Sequence, residues 1–149
     1  MGDTSDIVYN SRDTVEPLSH GDSIKIIYSA NGNMGNRWAG IYWLYPENNW
    51  GNLPDGVDLT GHSRLTFWAR GQKGGEWAEF KVGGVTGQYP DSLSARSTDE
   101  IQLSSEWQQY SIDLSGADLS HVIGGFCWVT NADLNPTGCT IYLDDIFYE

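Results

Sequence analysis

Apolar and polar positions alternate along most of this chain, in short runs of five to nine residues. β-branched and aromatic residues dominate these runs, and Gly, Asn, Asp and Pro separate them, which is typical of β-strands bounded by turns. No window carries a sustained apolar period of about 3.6 residues, so we expect little helix. Seven strands are predicted, at Ser23–Tyr28, Trp38–Tyr45, Arg64–Ala69, Ala78–Val82, Gln108–Leu114, Gly125–Val129 and Thr140–Tyr148.

Strands at this spacing predict an all-β fold, a two-sheet antiparallel β-sandwich or jelly roll of seven or eight strands. The longest polar interval, Asp91–Glu100, is predicted to be a surface loop. Because the chain has 149 residues and neither a linker nor a repeat, we predict one domain over residues 1–149.

Alternation within a strand indicates which side chains face the core. In Arg64–Ala69 and the residue after it, Leu65, Phe67 and Ala69 share one side, whereas Trp68 shares the other with Arg70. A core does not accept an unpaired guanidinium, so Trp68 is predicted to lie on an exposed face.

The same argument applies to the strand Ala78–Val82. It buries Phe80 and Val82 and turns Glu79 and Lys81 outward. If this strand pairs with the one that carries Trp68, their outward side chains form one polar and aromatic surface, which suits a sugar.

The charge balance narrows the class of partner. Lys and Arg number 8 against 20 Asp and Glu, a formal net charge of −12. Binding to nucleic acid or to an anionic membrane requires clustered cations, so we expect neither as a partner. A neutral glycan meets no such repulsion.

We expect no signal peptide at the start of the sequence, because Met1-Gly2-Asp3 lacks a charged and apolar leader. Apolar stretches such as Ile24–Tyr28 are too short to span a bilayer. We expect this chain to be part of a longer secreted protein.

Aromatic residues are abundant, with 7 Trp and 8 Tyr. Sugar rings expose C–H patches that stack on aromatic rings, and hydroxyls that bind carboxylates, amides and cations. All of these groups occur together in Arg37–Gly51. A single Trp is more often a core residue, so Trp38, Trp43 and Trp50 are each open to a packing role, and Trp107 is assigned to packing.

Two adjacent carboxylates, Asp144 and Asp145, come late in the last predicted strand. Calcium takes six to eight oxygen ligands, so Asp144 with Asp22 is a candidate calcium site if their strands meet, and Asp6 is a weaker third ligand. The alternative is a pair of solvated aspartates on an edge strand.

Two cysteines, Cys127 and Cys139, match no zinc motif. Their separation permits a disulfide, and the sequence leaves open whether one forms.

No motif of nucleophilic, metal-dependent or phosphate chemistry occurs, and His20, His62 and His121 are scattered. Glu76 and Glu79 are the nearest approach to a glycosidase pair, but their spacing puts them on opposite strand faces. The sequence therefore predicts a protein that is not an enzyme.

The chain resembles the galactose-binding-domain-like jelly rolls, which include many carbohydrate-binding modules of bacterial polysaccharide-degrading enzymes. Four segments carry the resemblance, which covers residues 24–149: Trp38–Trp43, Leu65–Gly71, Glu106–Leu114 and Tyr142–Ile146. The first twenty residues match no recognised pattern. The resemblance implies a structural Ca²⁺ held by the Asp of the last strand, here Asp144, with an early acid such as Asp22.

The resemblance also implies two alternative sugar sites. A site on the concave sheet would use Tyr42 or Trp43, Trp68, Arg70, Glu79, Lys81 and Trp128. A site in the edge loops would use Trp50, Asn48, Asn49, Gln88 and Tyr89.

The leading function prediction is a non-catalytic module that binds a β-glucan or a related plant or microbial polysaccharide. We expect an extracellular monomer that belongs to a larger secreted enzyme. The alternatives are a glycan- or protein-interaction domain of a surface adhesin and, less favoured, a small glycoside hydrolase or lyase.

Overall fold

Nine β-strands form two antiparallel sheets in the computed structural model, which describes residues 1–19 and 21–149. A short 3-10 turn at Thr4–Asp6 precedes them, and the described residues contain no α-helix. In chain order the strands are β1 Ile7–Asp13, β2 Ser23–Tyr28, β3 Trp38–Leu44, β4 Arg64–Gly71, β5 Trp77–Val82, β6 Arg96–Gln102, β7 Gln108–Asp113, β8 Gly124–Asn131 and β9 Cys139–Tyr148.

The sheets have five and four strands. Their orders are β1-β2-β9-β4-β7 and β3-β8-β5-β6, and every neighbouring pair is antiparallel. This confirms the predicted all-β sandwich. Within the described part of the chain, no helix is long and apolar enough to cross a membrane.

All seven predicted strands are present, with bounds that differ by at most two residues. Two further strands, β1 and β6, were not predicted. The loop prediction for Asp91–Glu100 is wrong from Arg96 onward, because β6 begins there. Ile101 is the one apolar residue of β6, and such polar sequences are common in edge strands, where charge prevents pairing with other chains.

The core lies between the sheets and is rich in phenylalanine. Phe67 of β4 packs against Phe80 of β5 and Phe126 of β8, with ring centroids 4.6 and 5.1 Å apart. Leu65 and Ala69 are fully buried beside Phe67, so the predicted inward side of β4 is confirmed.

The expected pairing of β4 with β5 is wrong. β4 pairs with β7 and β9 in the five-stranded sheet, whereas β5 pairs with β6 and β8 in the four-stranded sheet. Trp68 and Arg70 therefore lie on the opposite side of the sandwich from Glu79 and Lys81. Alternation predicts which side chains of a strand face the core, but it does not predict which strand pairs with it, because pairing depends on contacts distant in sequence.

Trp128 is also placed differently from the sequence expectation. It is fully buried, because β8 is a central strand and Trp128 lies opposite the inward residues Ile41 and Phe80. Val129 and Cys127, on its other side, are apolar too, so the strand lacks the polar alternation that would have indicated its inward face.

Candidate functional site

Strand register creates a continuous surface on the outside of the four-stranded sheet, which we call the four-strand face. Residues directly opposite one another in a sheet point to the same side. Tyr42 of β3 lies opposite Cys127 of β8, which lies opposite Lys81 of β5. Glu79 is two residues from Lys81 and lies opposite Glu100 of β6, so both belong to the same surface.

One end of this face carries two tryptophans, Trp38 of β3 and Trp77 of β5. Both line a cavity of about 70 Å³ together with Glu79, Glu100 and Asn131. The cavity lies over β8, which separates β3 from β5. Trp38 is 40% exposed, more than a core Trp would be. This end therefore offers aromatic surface beside carboxylate and amide groups.

Charged and amide groups occupy the middle of the face. Lys81 Nζ lies 3.0 Å from Glu79 Oε2, and Asn131 Nδ2 donates a hydrogen bond of 3.1 Å to Glu100 Oε1. Glu79 and Glu100 stand directly across from each other, a repulsive arrangement that Lys81 offsets. Carboxylates and amides held in this way can bind hydroxyl groups.

At the other end, the ring of Tyr42 lies across β8. Its hydroxyl donates to the carbonyl of Gly83, beyond the end of β5. A β-carbon at Gly124 would come within 2.6 Å of the Tyr42 ring, so glycine is what allows the ring to lie there. Burial raises the pKa of the Tyr42 hydroxyl further above the neutral range.

Trp50 stands beside Tyr42 and is 49% exposed. The two ring centroids are 5.9 Å apart and the ring planes are perpendicular. Trp50 belongs to the predicted edge-loop set, whereas Tyr42 belongs to the predicted sheet set. The structure thus places one residue from each of the two predicted sugar sites side by side, at one end of the four-strand face.

The remaining edge-loop candidates fall into two groups. Asn49 is fully buried, and both ends of its side-chain amide bind backbone groups within its own loop, so its predicted role as a sugar ligand is wrong. Asn48, Gln88 and Tyr89 are exposed, and the amide of Tyr89 donates to the carbonyl of Gly51 beside Trp50.

Trp68 and Arg70 lie on the outside of the five-stranded sheet, away from the four-strand face. Arg70 is mostly buried, pairs with Glu16 at 2.6 Å and covers the ring of Tyr142 at 5.5 Å. Trp107 also contacts Tyr142, with centroids 6.5 Å apart, in agreement with its predicted packing role. Arg70 is thus engaged in intramolecular contacts.

Trp43 points inward, unlike Tyr42. It lies opposite Phe126, and the two ring centroids are 5.5 Å apart. Of the two alternatives that the sequence offered in β3, Tyr42 is the one on the four-strand face.

Sequence reasoning missed three residues of this face, Trp77, Glu100 and Asn131, and left the role of Trp38 open between packing and sugar binding. Trp77 could have been found, because it is two residues before Glu79 and four before Lys81, and alternation puts all three on one side. Trp38 has the same relation to Tyr42. Glu100 and Asn131 carried no such signal, because only strand pairing brings them to the face.

The candidate calcium ligands Asp22 and Asp144 do come together. They line a surface depression of about 230 Å³ beside the paired strands β2 and β9. The carboxylate of Asp144 already accepts hydrogen bonds from the amides of Leu18 and Asp145, at 3.1 and 2.8 Å. Asp6 is buried, and its carboxylate binds Ser29 and Gly32 at 2.9 and 2.8 Å. No group of three His, Cys, Asp or Glu suited to a metal occurs among residues 1–19 and 21–149.

Both cysteines are free and buried. Cys127 lies in β8 of the four-stranded sheet and Cys139 begins β9 of the other sheet. Burial raises the pKa of each thiol to about 12, so neither is a reactive thiolate at neutral pH.

The predicted separation of Glu76 from Glu79 agrees with the structure. Glu76 is buried and accepts a hydrogen bond from the amide of Lys73, whereas Glu79 lies on the four-strand face. Of the three histidines named from the sequence, His20 lies outside the described part of the chain.

Neither family models nor curated proteins match this sequence. Several solved structures are similar to this chain. One is the family 30 carbohydrate-binding module of the cellulosomal cellulase Cel9D-Cel44B of Clostridium thermocellum, with a TM-score of 0.63 and 17% sequence identity. The match covers 98% of this chain and 87% of that chain. A family 11 carbohydrate-binding module from Clostridium thermocellum, in complex with a β-1,3-1,4-mixed-linked tetrasaccharide, has a TM-score of 0.59 and 14% identity, over 95% of this chain and 80% of that chain.

An exo-β-agarase is also similar, with a TM-score of 0.60 and 14% identity. The match covers 96% of this chain but 22% of the agarase, so the same fold occurs there within a larger enzyme. At these identities the comparisons establish the fold, and they confirm the jelly-roll architecture that the resemblance implied.

Proposed function

We propose that this chain is a non-catalytic carbohydrate-binding module that holds a neutral polysaccharide across the four-strand face. The observation that carries the proposal is the layout of that face. Aromatic rings stand at both ends, the exposed Trp38 with the half-buried Trp77 and the exposed Trp50 with the half-buried Tyr42, and hydroxyl-binding groups lie between them.

The spacing suits a chain rather than a single sugar. Trp38 and Tyr42 are four residues apart along β3, which corresponds to about 13 Å. An internal segment of a polysaccharide therefore fits the face, with aromatic rings at each end of the segment.

Charge favours a neutral ligand. Glu79 lies on the face with Glu100 directly opposite it on the edge strand β6, and the whole chain carries a formal net charge of −12. A uronic acid polymer would meet carboxylates of the same sign there, because like charges at close range repel. Neutral glucans, xylans and mannans meet no such barrier, and the family 11 neighbour was solved with a mixed-linked oligosaccharide.

The context of the chain follows from the same proposal. Modules of this fold occur within polysaccharide-degrading enzymes, as the match within the exo-β-agarase illustrates. We place this chain outside the cell, as a monomeric part of such an enzyme.

A panel of soluble glucans, xylans, mannans and pectins in affinity electrophoresis tests the proposal. Retardation by at least one neutral polysaccharide is expected, and Trp77→Ala should weaken it by about fivefold to thirtyfold, the effect of losing a ring contact of roughly 1–2 kcal/mol.

The matched control is Trp68→Ala, which removes the same side chain from the opposite side of the sandwich. Loss of binding in Trp68→Ala alone would move the site to the five-stranded sheet, and binding to none of the panel would contradict the proposal. Release of reducing ends or unsaturated products during long incubation would contradict the non-catalytic assignment.

A further inference from the structure

A second concave surface adjoins the four-strand face on the open side of the sandwich. It is a groove of about 370 Å³ whose lining includes Ile7 and Tyr9 of β1, Ile41 and Tyr42 of β3, and Trp50. We call it the lateral groove.

Sheet order explains why this groove exists. β1 is the edge strand of the five-stranded sheet, and β3 is the edge strand of the four-stranded sheet. Tyr9 lies opposite the buried Ile26, and Ile41 lies opposite the buried Trp128, so both side chains point between the sheets. Because β1 and β3 are edge strands, no further strand covers these side chains on this side of the sandwich.

The aromatic ring of Tyr9 is only partly used in packing. Its edge meets Trp43, with centroids 6.1 Å apart, and yet 44% of the residue remains exposed. Trp50 also lines the groove, and 49% of this residue is exposed. The lining side chains carry no charge, and the α-ammonium of Met1, which also lines the groove, donates a hydrogen bond of 2.8 Å to the carbonyl of Gly40. Uncharged side chains with accessible aromatic rings are suited to the C–H faces of a neutral sugar.

The groove is continuous with the four-strand face, because Tyr42 and Trp50 contribute to both. Resting on the function proposed above, we propose that the lateral groove receives a neutral sugar branch of a polysaccharide whose backbone lies on the four-strand face. The natural ligand is then a branched rather than a plain linear glycan, and Tyr9 is the residue that distinguishes the two.

Titration calorimetry with matched oligosaccharides tests this assignment. The probes are cello-oligosaccharide against xyloglucan oligosaccharide, and manno-oligosaccharide against galactomanno-oligosaccharide, since each pair shares a backbone and differs in its branches. The wild-type chain should prefer the branched member of the pair that it binds. Tyr9→Ala should reduce affinity for that member by about tenfold, as expected for one lost ring contact, and leave affinity for the linear member within about twofold.

Tyr9→Phe is the matched control, because it keeps the ring and should keep the preference. An unchanged preference in Tyr9→Ala, an equal loss on both members, or a wild-type chain that rejects branches would overturn the assignment. Trp77→Ala separates it from the proposed function, because that variant should lose both members equally. Wild-type binding to neither pair would overturn the branch assignment, while the polysaccharide panel would still decide the proposed function.

Discussion

At the scale of single residues, Asn49 shows how a buried amide can serve a site that it does not touch. Its Oδ1 accepts hydrogen bonds from the amides of Gly51 and Leu53, both at 3.1 Å. Its Nδ2 donates to the carbonyls of Leu53 and Asp55, at 3.3 and 2.9 Å. These bonds fix the loop that presents Trp50. The polarity of Asn49 suggested that it binds sugar, but the side chain is buried and instead stabilises the loop that carries Trp50.

Asn49→Ala should therefore destabilise the fold by about 2–4 kcal/mol, because one buried and three partly buried backbone groups lose their hydrogen bonds to this side chain at once. Binding should weaken as well, since Trp50 is no longer held beside Tyr42. Urea denaturation and calorimetry would measure the two effects. Asn48→Gly is the control, because the neighbouring Asn48 is exposed and has a φ of 63° that glycine adopts without strain. Equal stability of Asn49→Ala and the wild type would contradict this role.

At the scale of elements, β8 determines the shape of the four-strand face. It separates β3 from β5, and its small residues leave room above the strand. Gly124 admits the Tyr42 ring, whose hydroxyl then reaches Gly83. The adjacent Gly125 is less crowded, since a β-carbon there would meet its nearest atom at 3.8 Å, an ordinary contact distance. A β-carbon at position 124 would therefore collide with the Tyr42 ring, whereas a β-carbon at position 125 would not collide with any atom.

Gly124→Ala should displace the Tyr42 ring, lower the melting temperature and weaken polysaccharide binding by about tenfold, the effect of one lost ring contact. Gly125→Ala should leave both properties near the wild-type values. Differential scanning calorimetry and binding assays on the two variants provide the comparison. If both substitutions were equally mild, the ring of Tyr42 would not depend on the space above Gly124.

At the scale of the whole molecule, the ends of the chain meet on the five-stranded sheet. β1 and β2 bring the early acidic residues next to β9, so that Asp22 and Asp144 line one depression. Backbone amides already bind the Asp144 carboxylate. Calcium at this place remains a prediction, supported by the meeting of β2 with β9.

Removal of calcium tests that prediction at the same scale, because a cation that binds only the folded state raises its stability. If the depression binds calcium, EDTA should lower the melting temperature by several degrees and excess calcium should restore it. Asp22→Asn should abolish the difference, whereas Asp58→Asn, at an exposed position outside the depression, should retain it. A melting temperature that does not respond to EDTA would contradict the calcium prediction.

Much of this protein was determined by its local sequence pattern. The period of two located seven strands, placed Phe67 and Phe80 inward and placed Glu79 and Lys81 outward, because alternation depends only on neighbouring residues. The excess of acidic residues also argued against nucleic acid as a partner without reference to any fold.

Tertiary structure alone decided which strands are neighbours, and therefore which side chains share a surface. It separated Trp68 from Glu79, buried Trp128 and brought Glu100 and Asn131 to the cavity that Trp38 and Trp77 line. Strand pairing joins residues far apart in sequence, and many pairings satisfy the same alternation. The choice among them depends on packing of the whole core, which no local pattern contains.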